Sequence, residues 1–373
     1  MKIVADDKIP FLPGVLESVA EVVYLPGAKT TPADVADADA LITRTRTKCN
    51  AALLDGSKVR FVATATIGYD HFDTEYLDRR GIGWTNAPGC NSSSVAQYIT
   101  SVLLNLAVKH KFKLEDMTLG VIGVGNVGSK VAKVGKALGM KVLLNDPPRA
   151  ELEGGSGFVT LSEILAQADI VTTHVPLEAH GEYATLHMAD HSFFEQMKHG
   201  AYYINSSRGE VCDGKALKEV LKSGKLAGSV LDVWENEPDI DLELLKLIDY
   251  GTPHIAGYST DGKANGTAMS VEALSRFFGL PIRDWYPANV PLPDKTEVLA
   301  ADTGNFERDL LKIVNASYDV AADCGRLRRS PETFEQQRGN YPLRREFPVY
   351  TVRGELGDKL RDAVLDLGFQ YRK

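Results

Sequence analysis

The stretch "VIGVGNVG", residues 121–128, constrains this chain more than any other. Gly123, Gly125 and Gly128 stand in G-x-G-x-x-G spacing, after an apolar strand and before a helix expected over 126–138. The next apolar run, "KVLLND", ends in Asp146, close to the spacing such a unit requires. Each part has a physical task. Gly123 permits a tight turn, Gly125 allows the backbone to approach a pyrophosphate, and Gly128 lets the helix pack closely on the sheet. The helix N-terminus offers N–H groups to phosphates. Asp146 can accept hydrogen bonds from ribose hydroxyls and would repel a 2'-phosphate, so NAD is favoured over NADP.

Around this unit the chain alternates short β-rich runs with helical stretches. "KIVA", "EVVYL", "ALITR" and "VRFVAT" read as strands in the first 95 residues, with a helix at 13–20. Residues 91–110 read as one long helix joining two domains. Further apolar runs at 141–146, 169–175, 201–205, 227–233 and 250–256 suit central parallel strands. A helix is expected over 260–279, and the proline-rich 279–294 marks a boundary. The expected fold is α/β. It comprises α/β patterning in residues 1–94, a doubly wound parallel-sheet (Rossmann) NAD domain (95–257) and a small C-terminal α+β domain (290–373).

A formal net charge of -8 argues against nucleic acid or an anionic membrane as the main partner, though not against a small anion. Four scattered cysteines show no metal-ligand spacing, so no metal is expected and the thiols read as reduced. No signal peptide or bilayer-spanning stretch is visible, and the expected location is the cytoplasm.

Three charged or titratable residues stand at the ends of successive strands: Arg208 in "INSSRGE" just after 201–205, Glu237 in "WENEP" just after 227–233, and His254 in "TPHIAG", within the last strand. In an open α/β sheet the C-terminal strand ends line the ligand crevice, so the three can converge. Together they are what hydride transfer on a 2-hydroxy acid requires. An arginine holds the carboxylate in a fork, a histidine exchanges the hydroxyl proton, and a carboxylate orients the histidine.

Residues 1 to about 285 resemble the D-isomer-specific 2-hydroxyacid dehydrogenases through "GYDHFD" (68–73), "GVGNVG" (123–128), "NSSRGEVCDGKAL" (205–217), "LDVWENEP" (231–238) and "TPHIAG" (252–257). The resemblance implies a flavodoxin-like substrate or lid domain (1–94 plus 258–289), an NAD domain between its two parts, and catalytic roles for Arg208, Glu237 and His254. It also implies that Asn126, Val127, His174, Ser206, Asp232 and Gly257 join Asp146 at the NAD site, with Thr45, Thr66 and Tyr258 touching substrate. Gln97 stands where many members carry glutamate, and Thr45 where serine is common.

"NDPPRA" (145–150), "HIAGYSTDGKANGT" (254–267) and the additional C-terminal domain narrow the resemblance to a branch acting on a phosphorylated hydroxy acid, as a homodimer through 290–373. A phosphate needs cationic partners. Arg44 and Arg46 flank Thr45 and would point the same way on an alternating strand end. Arg344 and Arg345 offer a second pair, which could reach a partner subunit's phosphate. The same fold and chemistry also suit another D-2-hydroxy acid, such as 3-phosphoglycerate or glycerate, or an NAD(H)-sensing corepressor.

Overall fold

The computed structural model describes residues 1–373. It divides into two compact units, Met1–Asn91 with Ser259–Pro291, and Ser92–Tyr258 with Leu292–Lys373.

The first unit is built on five strands: β1 (Lys2–Asp6), β2 (Glu21–Leu25), β3 (Ala40–Thr43), β4 (Phe61–Thr64) and β5 (Gly83–Thr85). All pairings are parallel, in the order β2-β1-β3-β4-β5. This is the flavodoxin-like order, with its crevice where neighbouring strands lead off in opposite directions. β1, β3 and β4 are buried on both faces because separate apolar layers cover them. One contains Val35, Leu54 and Leu77, the other Leu12, Leu16, Val271 and Leu274. The last two belong to the helix Thr260–Phe278, so the chain returns to this unit to complete its core. The helix expected at 13–20 is absent. Gly14 has a φ of +88° after Pro13, which leaves the helical region, and the segment instead makes short turns closed on Leu12 and Leu16.

The second unit has a six-stranded sheet: β6 (Thr118–Ile122), β7 (Lys141–Asn145), β8 (Ile170–Thr173), β9 (Ala201–Asn205), β10 (Leu226–Leu231) and β11 (Tyr250–Gly251). It too is all parallel, in the order β11-β10-β9-β8-β6-β7. The order in which strands are added reverses at β6, which lies between β7 and β8. The crevice outside that point is where a dinucleotide is held in such sheets.

The long helix runs Ser92–His110 and is buried on almost every side. That follows from its place: Val102, Leu103 and Leu106 share one apolar cluster with Val121 and Val131 of the nucleotide unit and with Leu310, Ile313 and Val364 beyond residue 300. A helix covered all round needs apolar or small residues on all faces. Residues 292–373 carry their own parallel sheet, β12 (Glu297–Leu299), β13 (Thr351–Arg353) and β14 (Gln370–Arg372). They are nonetheless part of the second unit, because they share its core.

Candidate active site

The glycine-rich turn leaves β6 and enters the helix Asn126–Ala137. Gly123 has a φ of +81°, and a Cβ there would sit 2.6 Å from the His174 carbonyl oxygen. At Gly128 a Cβ would sit 1.9 Å from the Gly123 carbonyl oxygen. At Gly125, by contrast, a Cβ would meet open space. Two glycines are therefore demanded by the protein's own packing, while the middle one faces room for a ligand. Gly125 caps the helix with no side-chain hydrogen bond, so the first-turn N–H groups around Asn126 and Val127 remain available to phosphate oxygens. Replacing Gly128 with alanine is expected to weaken NAD binding by more than about tenfold and to lower the melting temperature. Fluorescence titration with NAD and thermal unfolding would read both, and an unchanged affinity would refute the close-packing account.

Asp146 stands one residue past β7. One carboxylate oxygen accepts from the Val124 N–H at 2.8 Å and the other from Arg149 N–H at 3.1 Å, as the cap of the next helix. Its carboxylate is thus fixed beside the glycine turn. Arg149 does not offset it as a free cation: its guanidinium pairs with Glu153 at 2.7 and 2.9 Å and also donates to the Val124 carbonyl. His174 follows β8, with Nε2 3.0 Å from the Thr172 hydroxyl and Nδ1 3.5 Å from the Ser206 hydroxyl. Burial pushes its imidazole down to about 3, so the ring is neutral at physiological pH. The glycine turn and the open helix N-terminus suit a cofactor that carries phosphates.

The turn after β9 is shaped by Asn205, which reasoning from motifs had passed over. Its side chain accepts from the N–H and hydroxyl of Ser207 at 3.0 and 2.8 Å and donates to the Arg208 carbonyl at 2.9 Å. An Asn followed by two serines at a strand end is the signal for such a turn. Gly209 comes next, and a Cβ there would lie 2.0 Å from the Trp234 backbone. That close approach presses the turn bearing Arg208 against the turn that bears Glu237.

Glu237 is anchored by the Trp234 N–H, which donates to Oε1 at 3.0 Å. Its Oε2 lies 2.8 Å from His254 Nδ1. His254 is not in a strand, as its apolar neighbours suggest. β11 ends at Gly251, and His254 occupies the left-handed region with a φ of +55°. The run 250–256 is apolar because it is buried, not because it is extended. Four hydrogen bonds hold this conformation. The His254 N–H donates to the Asp232 carbonyl at 2.7 Å, Trp234 Nε1 donates to the Thr252 carbonyl at 2.9 Å, and the Asp232 carboxylate accepts from the Ile255 and Ala256 N–H groups at 2.8 and 2.9 Å.

Asp232 is fully buried and also accepts from the Thr252 hydroxyl at 2.7 Å, itself 2.9 Å from the Tyr98 hydroxyl. Burial pushes the Asp232 carboxyl above its ordinary value, against the pull of the nearby His254 and of these donors. Asp232 thus organises the loop carrying His254, a task that its expected place at the NAD site did not include. Gly257 and Tyr258 end this loop, half-buried; the Tyr258 ring meets that of Tyr341 edge-on at 5.9 Å.

In the first unit, β3 ends at Thr43. Arg44, Thr45 and Arg46 lie in the turn beyond it, so strand alternation does not align the two arginines. Arg44 Nη1 donates to the Lys8 carbonyl at 3.1 Å, tying the turns after β1 and β3 together. Thr45 and Arg46 are exposed. The Thr66 hydroxyl, just past β4, donates to the Gly68 carbonyl at 2.9 Å and meets that of Thr64 at 2.7 Å. Lys263, in the first turn of the returning helix, adds a cation: burial and the charge of Arg44 both push its pKa down. It lies inside the stretch "HIAGYSTDGKANGT", though the sequence assigned it no role.

Arg344 and Arg345 do not form a surface pair able to reach a partner's substrate. They are only 3 % and 8 % exposed. Arg344 donates to the Gln97 side chain at 2.8 Å, and Gln97 donates to the Arg345 carbonyl at 3.0 Å. Acceptors on the long helix and on the loop after β11 hold the guanidinium inward, which a charge pair in a sequence cannot reveal.

Residues 102–256 match the family model described as D-isomer specific 2-hydroxyacid dehydrogenase, NAD binding domain, and residues 290–368 match a domain of unknown function, DUF3410. The chain is 53 % identical to an erythronate-4-phosphate dehydrogenase of Bacteroides fragilis, over 94 % of this chain and 99 % of that one. A protein of the same name from Escherichia coli is 43 % identical, over 93 % and 92 %. Among solved structures, D-lactate dehydrogenase from Aquifex aeolicus complexed with NAD and lactic acid aligns with a TM-score of 0.61 at 28 % identity, covering 75 % of this chain and 96 % of that one. The stretch that this alignment leaves over is comparable in length to the C-terminal segment, which the erythronate-4-phosphate dehydrogenases span. The chain belongs to the erythronate-4-phosphate dehydrogenase family, within the D-isomer-specific 2-hydroxyacid dehydrogenases.

Proposed function

We propose that the enzyme oxidises 4-phospho-D-erythronate at C2 with NAD, giving 2-oxo-3-hydroxy-4-phosphobutanoate, a step of pyridoxal 5'-phosphate biosynthesis. The observation that carries the reaction is the 2.8 Å pair of His254 Nδ1 with Glu237 Oε2. If Nδ1 donates to the carboxylate, Nε2 keeps its lone pair and is the nitrogen that takes the C2 hydroxyl proton. Glu237 orients the ring and favours the imidazolium that forms. Arg208 holds the substrate carboxylate, and its planar fork fixes the angle at which C2 is presented. NAD, when bound, supplies the acceptor for the C2 hydride.

The choice of acid rests on relatives named for erythronate 4-phosphate that match along nearly the whole chain. Thr45, Thr66 and Tyr258 are assigned to substrate contacts, with Arg44 and Arg46 assigned to the phosphate. Replacing either arginine with methionine is expected to raise the Michaelis constant for the phosphorylated acid by roughly tenfold, the effect of one charge-assisted hydrogen bond. Unchanged constants in both variants would remove them from the site.

The chain is proposed to act as a homodimer in the cytoplasm. In the sheet of residues 292–373, β12 is an edge strand whose Leu299 is 86 % exposed, a surface suited to a second copy. No helix is long and apolar enough to cross a membrane. The deciding experiment follows NADH formation with 4-phospho-D-erythronate, 3-phosphoglycerate and glycerate in turn. Preference for 3-phosphoglycerate or glycerate would overturn the choice of acid, and inactivity with all three would favour a nucleotide-sensing role.

A further inference from the structure

Arg344 is a cation in an unusual setting. It is 3 % exposed, and its hydrogen bonds run to neutral acceptors: Gln97 Oε1 at 2.8 Å, the Ser94 carbonyl at 2.6 Å and the Ile255 carbonyl at 3.3 Å. Its guanidinium lies 3.8 Å above the Tyr318 ring. Burying a guanidinium among neutral groups costs stability that a methionine or leucine of similar length would not. The acceptors show where the group acts. Ser94 and Gln97 lie in the first turns of the long helix, and Ile255 is the residue after His254.

Two neighbours in the same segment reach the other end of the same loop. Arg338 lies 5.7 Å from the centre of the Tyr258 ring and pairs with Glu335 at 2.8 Å, while its Nε is buried without a hydrogen-bond partner. Burial works against this charge, yet neighbouring Tyr258, Glu237 and Glu335 hold it on. Tyr341 packs edge-on against Tyr258 and donates from its hydroxyl to Asp323 at 2.7 Å. Residues 338–344 therefore touch the loop at Ile255 and at Tyr258, flanking the half-buried Gly257. From beneath, Asp232 ties the same loop to β10.

We propose that residues 338–344 of the C-terminal segment position the loop 254–258 for catalysis within their own chain, with Arg344 and Arg338 as positioning residues. The inference rests on the roles given above to His254 and Tyr258. His254 holds a left-handed backbone conformation, which persists only where the surroundings over-determine it. Asp232 supplies one side of that restraint, and Arg344 supplies the other through the Ile255 carbonyl. A small tilt of the loop would move Nε2 of His254 away from the C2 hydroxyl without disturbing the glycine turn that holds the nucleotide.

The test compares Arg344→Met, Arg344→Lys and Arg338→Met with the wild-type full chain, using 4-phospho-D-erythronate and NAD. Turnover is counted per NAD-binding site, so that unfolded protein does not enter, and the oligomeric state is matched by sedimentation. The expected result is a kcat lowered by about 10- to 100-fold in Arg344→Met, with NAD affinity within about twofold of wild type. A smaller loss is expected in Arg338→Met, and partial recovery in Arg344→Lys. The primary deuterium isotope effect with C2-deuterated substrate should rise, because misplacing the base slows the chemical step itself. A purely structural role would lower the number of NAD-binding sites and leave kcat per site and the isotope effect alone, and that outcome overturns the proposal. If Arg344→Met does not fold, Arg344→Lys and Arg338→Met decide by the same two readouts. A wild-type kcat in these variants beside an inactive His254→Ala would refute this inference alone. An active His254→Ala would refute the reading on which it rests.

Discussion

Replacing His254 with alanine is expected to lower kcat by roughly 10³- to 10⁴-fold while NAD affinity stays near the wild-type value. The size follows from what is lost. Proton transfer by a positioned base is removed, and the neutral imidazole of His174 is already engaged by Thr172 and Ser206. The separation of effects follows from the fold. The nucleotide turn lies after β6, whereas the His254 loop follows β11 at the far edge of the sheet. The His254 side chain pairs with Glu237 and its N–H with the Asp232 carbonyl, so alanine keeps the backbone bond and loses only the ring. Steady-state kinetics and NAD titration on one preparation read both effects. Loss of NAD binding together with loss of the melting transition would instead make His254 a core histidine. Glu237→Gln is expected to give a smaller fall, since an amide can still accept from Nδ1 but no longer balances the imidazolium.

Arg208→Met is expected to lower kcat/KM by about 10²- to 10³-fold, the effect of deleting one side of a charge-assisted fork. Much of this should appear in kcat, because the fork sets the direction of C2 as well as the affinity. Lysine should recover only part of it, since a point charge cannot reproduce two parallel N–H donors. Local structure favours a clean result. The turn is held by Asn205 and by the contact of Gly209 with the Trp234 backbone, and neither needs the guanidinium. Arg208 Nη1 does donate to the Ser207 carbonyl at 2.9 Å, so the variant's NAD affinity is the control for a disturbed turn. Equal kcat/KM for variant and wild type would remove Arg208 from the substrate site.

Much of this arrangement was legible in residue order, for a reason that differs from place to place. The glycine turn was legible because its demands are local: a positive φ at Gly123, contact distances at Gly128 and an uncapped helix end lie within a few residues of one another. Parallel strands were legible because burial on both faces leaves continuous apolar runs. The same rule misled at 250–256, where burial came without extension. At 13–20 the helix expected between two strands is prevented by Pro13 and by the positive φ of Gly14. Arg44 and Arg46 are not aligned by strand alternation because the strand stops at Thr43, and strand ends are poorly marked by composition.

The sequence by itself determined the nucleotide unit and the chemical identities of Arg208, Glu237 and His254, because backbone permission and side-chain chemistry are properties of single residues and short spacings. Only the tertiary structure decided that Glu237 meets His254 Nδ1, that Asp232 braces the loop, and that Arg344 is buried beside Ile255 instead of reaching outward. Those outcomes depend on which distant segments press together. Arg344 and Ile255 lie 89 residues apart in the chain, and the contact between them is set by the packing of the long helix against the C-terminal segment.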